Sequence, residues 1–205
     1  MSFLNDNDKQ LIVEAIKQAE SKTSGEFVAV IAQAADDYLY IPTLWAALIA
    51  LLVPGVIEFS VWSWTHVYSY ELQVITFFIC ALLFRWTPIK RLLIPKHIKQ
   101  QRAHRLAQEQ FFQQNLHYTS ERTGVLLFVS ITEHYVEIIA DKGINDMVND
   151  GVWNNIVTDF IYQVKSGHVA AGFLHAVKAC GDVLAEHFPN TDDNRDELPN
   201  HLIEI

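Results

Sequence analysis

Between Tyr38 and Ile57 about twenty consecutive residues carry no charge. At ~1.5 Å of rise per residue, a helix of that length spans ~30 Å, the thickness of a bilayer's hydrocarbon core. No other feature restricts the fold as strongly. A second apolar stretch runs from about Tyr68 to Trp86, with Glu71 near its start. Residues 59–70, between the two, contain no Lys or Arg. Beyond the second stretch, Arg85, Lys90, Arg91, Lys96, Lys99, Arg102 and Arg105 carry +7 with no acid among them, leaving −16 for the rest of a chain whose net charge is −9. Basic residues flanking membrane helices stay on the cytoplasmic side. The pattern therefore predicts a transmembrane helical hairpin over 41–87, with spans of about 41–58 and 68–86. Both termini are expected in the cytoplasm and residues 59–70 outside. Trp62, Trp64, Tyr68 and Tyr70 would form the outer aromatic belt, and Tyr38, Tyr40 and Trp86 the inner one. The alternative is a helical hairpin buried in a soluble protein. The uncharged core of the second stretch, Leu72 to Phe84, is about thirteen residues, nearer the length of a core helix.

Composition narrows the remainder. Half the residues are hydrophobic and 12% aromatic, which is incompatible with a disordered chain. Two cysteines, Cys80 and Cys180, cannot build a disulfide scaffold or a four-ligand zinc site, and both are expected as free thiols. The negative net charge argues against a general nucleic-acid binder. The basic run has no interleaved aromatics, which argues against RNA. It fits a topology determinant, and also adhesion to anionic lipid head groups.

Outside the hairpin, residues 1–40 and 88–189 read as two parts of one domain, followed by an acidic tail over 190–205. Leu4, Leu11, Ile12, Ala15, Ile16 and Ala19 recur at helical spacing after a cap at Asn5 or Asn7. Residues 26–34 read as a buried strand, and 97–118 as a helix whose apolar face carries Ile98, Leu106 and Phe112. The run 123–131 has the continuous apolar character of a central strand. Thr132 and Glu133 turn the chain into a strand over 134–140, and 152–163 and 169–187 read as helices. A lone apolar strand beside a membrane hairpin would leave its backbone groups unpaired, so 26–33 is expected to pair with 124–131. The order implies α/β architecture, helices packed on a small mixed sheet.

Glu20-Ser-Lys-Thr-Ser-Gly-Glu26 with Asp37-Tyr38, then Thr123-Gly-Val-Leu-Leu-Phe-Val-Ser, His134-Tyr-Val-Glu-Ile-Ile-Ala-Asp-Lys-Gly-Ile144 and Trp153-Asn-Asn-Ile-Val157 together resemble the TPM-domain family in its membrane-inserted bacterial branch. His187-Phe-Pro189 and Glu197-Leu-Pro-Asn200 extend the resemblance to nearly the whole chain. It implies an α/β/α sandwich interrupted by the hairpin, in a multi-pass protein of the cell inner membrane. Some TPM domains are linked to phosphatase activity, and others bind divalent metal through acidic loops. The family's acidic-Gly pair before the central strand is here Arg122-Thr123-Gly124, and its Gly-Asp-Tyr stretch is Ser166-Gly167-His168.

A direct search for chemistry finds no glycine-rich phosphate loop and no H-E-x-x-H. Asp141, Asp146 and Asp150, with Asp37 at the end of the first strand, are the candidate metal ligands, since Ca²⁺ and Mg²⁺ take oxygen donors. The plainer reading makes them helix caps and solvent-facing acids. Two functions follow. One is a membrane-anchored interaction or assembly module whose partners are the lipid bilayer and a protein, without a resident cofactor. The other is a phosphatase-like hydrolase dependent on Ca²⁺ or Mg²⁺.

Overall fold

The computed structural model describes residues 4–60, 69–119, 121–190 and 202–205. Two compact units emerge. Residues 1–35 with 102–205 form one, and residues 36–101 are inserted into it as the other.

The first unit is built on a four-stranded mixed sheet of order β3-β2-β1-β4. Strand β1 (Glu26–Ala32) and strand β2 (Gly124–Ser130) run parallel, with Glu26 opposite Gly124 and Ala32 opposite Ser130. The pairing expected across the inserted unit is therefore present. Strand β3 (Tyr135–Ala140) lies antiparallel to β2. Every residue of β1 and β2 is buried, because both faces of these strands are covered. Phe27, Ala29, Ile31, Val125, Leu127 and Val129 point into a core with Ile12, Ile16, Phe160, Phe173, Val177 and Leu184. These come from α1 (Asp6–Glu20), α7 (Asp150–Lys165) and α8 (Val169–His187). The alternate residues Val28, Val30, Leu126 and Phe128 meet Ala103, Ala107 and Phe111 on the opposite side, all from α5 (Lys96–Gln113). A period of two along each strand feeding helices on both sides is the pattern of a three-layer α/β/α arrangement.

Local signals account for the element ends. Asn5 caps α1 by accepting the Asp8 N–H at 2.7 Å. Asn115, in the left-handed region at φ 58°, follows α5, so the helix stops at Gln113 rather than continuing to 118. A single 3₁₀ turn, Leu116–Tyr118, intervenes before β2. The buried face of α5 is also offset by one residue from the expected one. Phe111 is buried and Phe112 is exposed, because small Ala103 and Ala107 let the helix sit close to the sheet. Leu11 likewise faces solvent, while Ile12 and Ile16 carry α1.

The C-terminal residues depart most from the sequence reading. Residues 191–201 lie outside the described residues. Leu202–Glu204, expected within the acidic tail, instead form strand β4, parallel to β1 with Ala29 opposite Leu202. The gain is physical: β1 would otherwise present an unpaired edge that is apolar from Phe27 to Ala32. The pairing is reinforced by Lys9, whose Nζ donates to Glu204 at 2.9 Å and whose pKa this contact raises.

The inserted unit contains α2 (Tyr40–Ser60), α3 (Ser69–Leu83) and the short α4 (Thr87–Leu93). Asp36 accepts the Tyr38 N–H at 2.8 Å, holding Tyr38 at φ 49° and turning the chain into α2. Helices α2 and α3 pack against each other. Tyr38 and Ile41, at the start of α2, pack with Ile94 and Ile98 beyond α4. The chain therefore returns after α3 to the end at which α2 began. Residues Tyr40–Ile57 form a helix long and apolar enough to cross a membrane. Helix α3 has 15 residues and falls short of that length. Of the expected outer belt, Trp62, Trp64 and Tyr68 lie outside the described residues, and Tyr70 is exposed.

Candidate functional site

Parallel β1 and β2 with antiparallel β3 bring Glu26, Gly124 and Ala140 to one end of the sheet. Asp141 follows directly and is 6% exposed. Its Oδ2 accepts from Arg122 Nε at 2.6 Å and its Oδ1 from Arg122 Nη2 at 2.9 Å. Oδ1 also accepts the Lys142 backbone N–H at 2.7 Å, capping α6 (Lys142–Asn145). The carboxylate raises the pKa of the Arg122 guanidinium through the hydrogen bond and its charge. Arg122 occupies the left-handed region at φ 59°, at a cost of roughly 1–2 kcal/mol for an L-residue. The bidentate pair offsets that strain, since charge-assisted forks are among the stronger hydrogen bonds. The packing tolerates only glycine next door. A Cβ on Gly143 would lie 2.5 Å from the Glu121 carbonyl oxygen.

The other candidate acids sit apart from this clamp in role. Asp146 is exposed and closes α6 at its C-terminal end. Asp150 is the first residue of α7, whose cap is Asn149, accepting the Gly151 N–H at 2.9 Å. Asp37 is exposed and belongs to the inserted unit. Among the described residues, no three His, Cys, Asp or Glu side chains gather closely enough to hold a metal ion. Asp141 is engaged as a structural ligand of Arg122 and α6. Replacing it with alanine should cost about 2 kcal/mol of stability, from two charge-assisted bonds and a cap. Asp146→Ala should stay within ~0.5 kcal/mol, as surface changes do. Urea midpoints of the two variants compare them directly.

The carboxyl ends of β1 and β2 lie at the opposite end, where open α/β sheets ordinarily receive ligands. Here the sequence reading missed a buried carboxylate. Glu133 is 8% exposed, accepts the Ala35 N–H at 3.1 Å and receives the Ser130 hydroxyl. Thr132 Oγ1 donates to the Gln33 carbonyl at 2.7 Å. The turn after β2 is thereby tied to the residues leaving β1. Beside it opens a cleft of about 210 Å³, walled by Val129, Val136, Phe160 and Val164 with His134 and Lys165 at its sides. The Ser130 hydroxyl is turned to Glu133, but Ser130 is only 1% exposed, so the pair serves to tie the turn and does not offer its oxygen to a ligand.

A third polar group lies on the α5 side. Glu137 accepts the Tyr135 hydroxyl at 3.0 Å, and His104 Nδ1 approaches it at 2.9 Å. Burial, then the Glu137 charge, pushes the Tyr135 phenol above its ordinary pKa, so it remains a protonated donor. Cys180 is fully buried, and burial alone pushes its thiol up to about 12. Both cysteines are free thiols.

Comparison with known proteins fits this geometry. No curated protein matches the chain. Among solved structures, the NMR structure of the BA42 protein from the psychrophilic bacterium Bizionia argentinensis is similar, with a TM-score of 0.63 at 22% sequence identity, covering 100% of this chain and 97% of that one. At that identity the likeness establishes a shared fold. The family described as TPM domain matches residues 90–183, the stretch that supplies α5, β2, β3, α7 and most of α8 to the unit just described.

Proposed function

We propose that the protein is anchored in the cell inner membrane by a hairpin of α2 and α3, and that its α/β/α unit serves on the cytoplasmic side as an interaction or assembly module. The observation that carries this reading is the bare apolar surface of the two helices. Leu44, Leu48, Leu51, Leu52 and Val56 on α2 are all exposed, as are Val74, Ile75, Phe78, Ile79 and Leu82 on α3. A helix pair serving as the core of a water-soluble protein would bury these faces. In a bilayer they are in their preferred solvent. Helix α3 is short for a span on its own, and the turn that follows it, with Arg85 and Trp86 N–H groups bonded to the carbonyls of Leu82 and Leu83, extends it toward the basic flank. The cytoplasmic placement rests on that flank.

The module reading is favoured over a metal-dependent hydrolase because Asp141 is committed to Arg122 and α6. Two measurements test the proposal. The protein should remain in the pellet after alkaline carbonate extraction, and a reporter fused at the C-terminus should be active only in the cytoplasm while one within 59–70 is active only outside. Release by carbonate, or an external C-terminus, would refute the anchoring. For the domain, purified protein with millimolar Ca²⁺ or Mg²⁺ should turn over a chromogenic phosphomonoester no faster than Asp141→Ala does. Metal-dependent turnover abolished by Asp141→Ala would restore the hydrolase.

A further inference from the structure

We infer that α4 and its flanks, from Arg85 to Lys96, form a docking surface for anionic phospholipid head groups. The inference rests on the membrane reading above and adds a lipid preference to it.

The geometry begins with a break. Trp86 is extended, at φ −69° and ψ 125°, and so is Ile94, at φ −90° and ψ 117°. The chain therefore leaves the helical path on both sides of α4, and α4 is a separate helix rather than a continuation of α3. Pro95 reinforces the second break, because proline restricts Ile94 before it to extended conformations, and Pro88 sits in the first turn of α4, where proline's missing N–H costs nothing. The packing of Ile94 with Tyr38 and Ile41 then fixes the segment at the end of α2 where the apolar helix begins.

What this segment displays suits a membrane surface. Trp86 is 68% exposed and Leu92 86%, large apolar groups left mostly open by the described residues. Arg85 and Lys96 are exposed and Lys90 is half-buried. No acidic residue occurs between Arg85 and Arg105. Lys99 and Arg102 are already engaged within the protein and do not enter the count. Apolar groups beside unopposed cations, held at the end of an apolar helix, match an interfacial helix lying at head-group depth. The complementary partner is a lipid that offers negative charge in the same plane as acyl chains. A basic residue near an anionic surface contributes about a fivefold gain in binding. Three such residues should therefore give a preference of tenfold or more for an anionic over a zwitterionic lipid.

The experiment uses the full chain in a neutral detergent. Fluorescently labelled phosphatidylglycerol and phosphatidylcholine are titrated separately, and binding is read by anisotropy. Phosphatidylglycerol is expected to bind at least tenfold more tightly, and raising salt from 50 to 500 mM should shrink the preference severalfold, as screening requires. The combined variant Arg85→Gln, Lys90→Gln, Lys96→Gln should bring the two lipids to near equality. Equal binding by the unmodified protein would overturn the inference. So would a preference that persists in the triple variant, or one that millimolar inorganic phosphate abolishes, which would indicate a free-phosphate site. If the variant fails to fold, the lipid ratio and salt dependence of the unmodified protein still decide. Failure of the anchoring itself is read separately, by carbonate extraction.

Discussion

Excising residues 36–101 and joining Ala35 to Arg102 through a short Gly-Ser linker should move the protein from the carbonate-resistant membrane fraction to the supernatant, folded. The join is feasible because Ala35 and Ala103 pack in the same apolar cluster beneath the sheet. The unit left behind keeps all four strands, both cores and the Glu133 contact to Ala35. Its parallel β1–β2 register is set by alternating burial on two faces, so a one-residue slip would exchange Phe27 and Val28 between unlike cores. Circular dichroism and a cooperative melt of the excised protein check the outcome. If it remains in the pellet, membrane attachment lies in the α/β/α unit and the hairpin reading loses its main support.

Phe173→Ala should be among the most damaging single changes, at about 4 kcal/mol, within the range for emptying a large aromatic site. The Phe173 ring is fully buried and meets Phe160 edge-on, with centroids 4.9 Å apart and planes at 83°. That pairing joins α7 to α8 against the strands, with Ile156, Ala176 and Val177 buried in the same core, leaving little room for collapse. Against a typical stability of roughly 5–15 kcal/mol, the loss should lower the melting temperature by about 10 °C or more. Phe112→Ala is the matched control. Phe112 is 58% exposed and its removal should cost less than ~1 kcal/mol. Equal losses would mean that the buried face of α5 has been assigned to the wrong residues.

How legible each part was depends on where its cause resides. The strands β1 and β2 announced themselves because burial on both faces writes a continuous apolar run, and their pairing followed from the need to satisfy backbone groups. The extent of α8 was readable from its apolar stripe and from Pro189 just beyond its end. Strand β4 was not, because three residues after an acidic stretch carry no usable period, and their pairing is dictated by an edge formed about 170 residues earlier. Helix α4 was hidden for a similar reason: its seven residues merge into the basic run. At the candidate site, Asp141 was visible as a helix cap. Its partner Arg122 lies 19 residues away in sequence, next to it only because β2 and β3 run antiparallel. Glu133 looked like an ordinary turn residue, since nothing local reveals that the Ala35 N–H comes to it from the far side of the inserted unit.

The separation between β1 and its neighbours has a consequence for biosynthesis. At roughly 5–20 residues per second, the ~90 residues between β1 and β2 take about 5–20 s to synthesise. For that interval a seven-residue strand, apolar apart from Glu26, has both edges open while the ribosome makes the inserted unit. Strand β4 arrives later still. During this period the nascent chain holds an adhesive strand next to the long apolar helix α2, and Glu26–Ala32 stays open to wrong partners until its neighbours emerge. Order of synthesis, more than final stability, is then the step at which this fold is most easily lost.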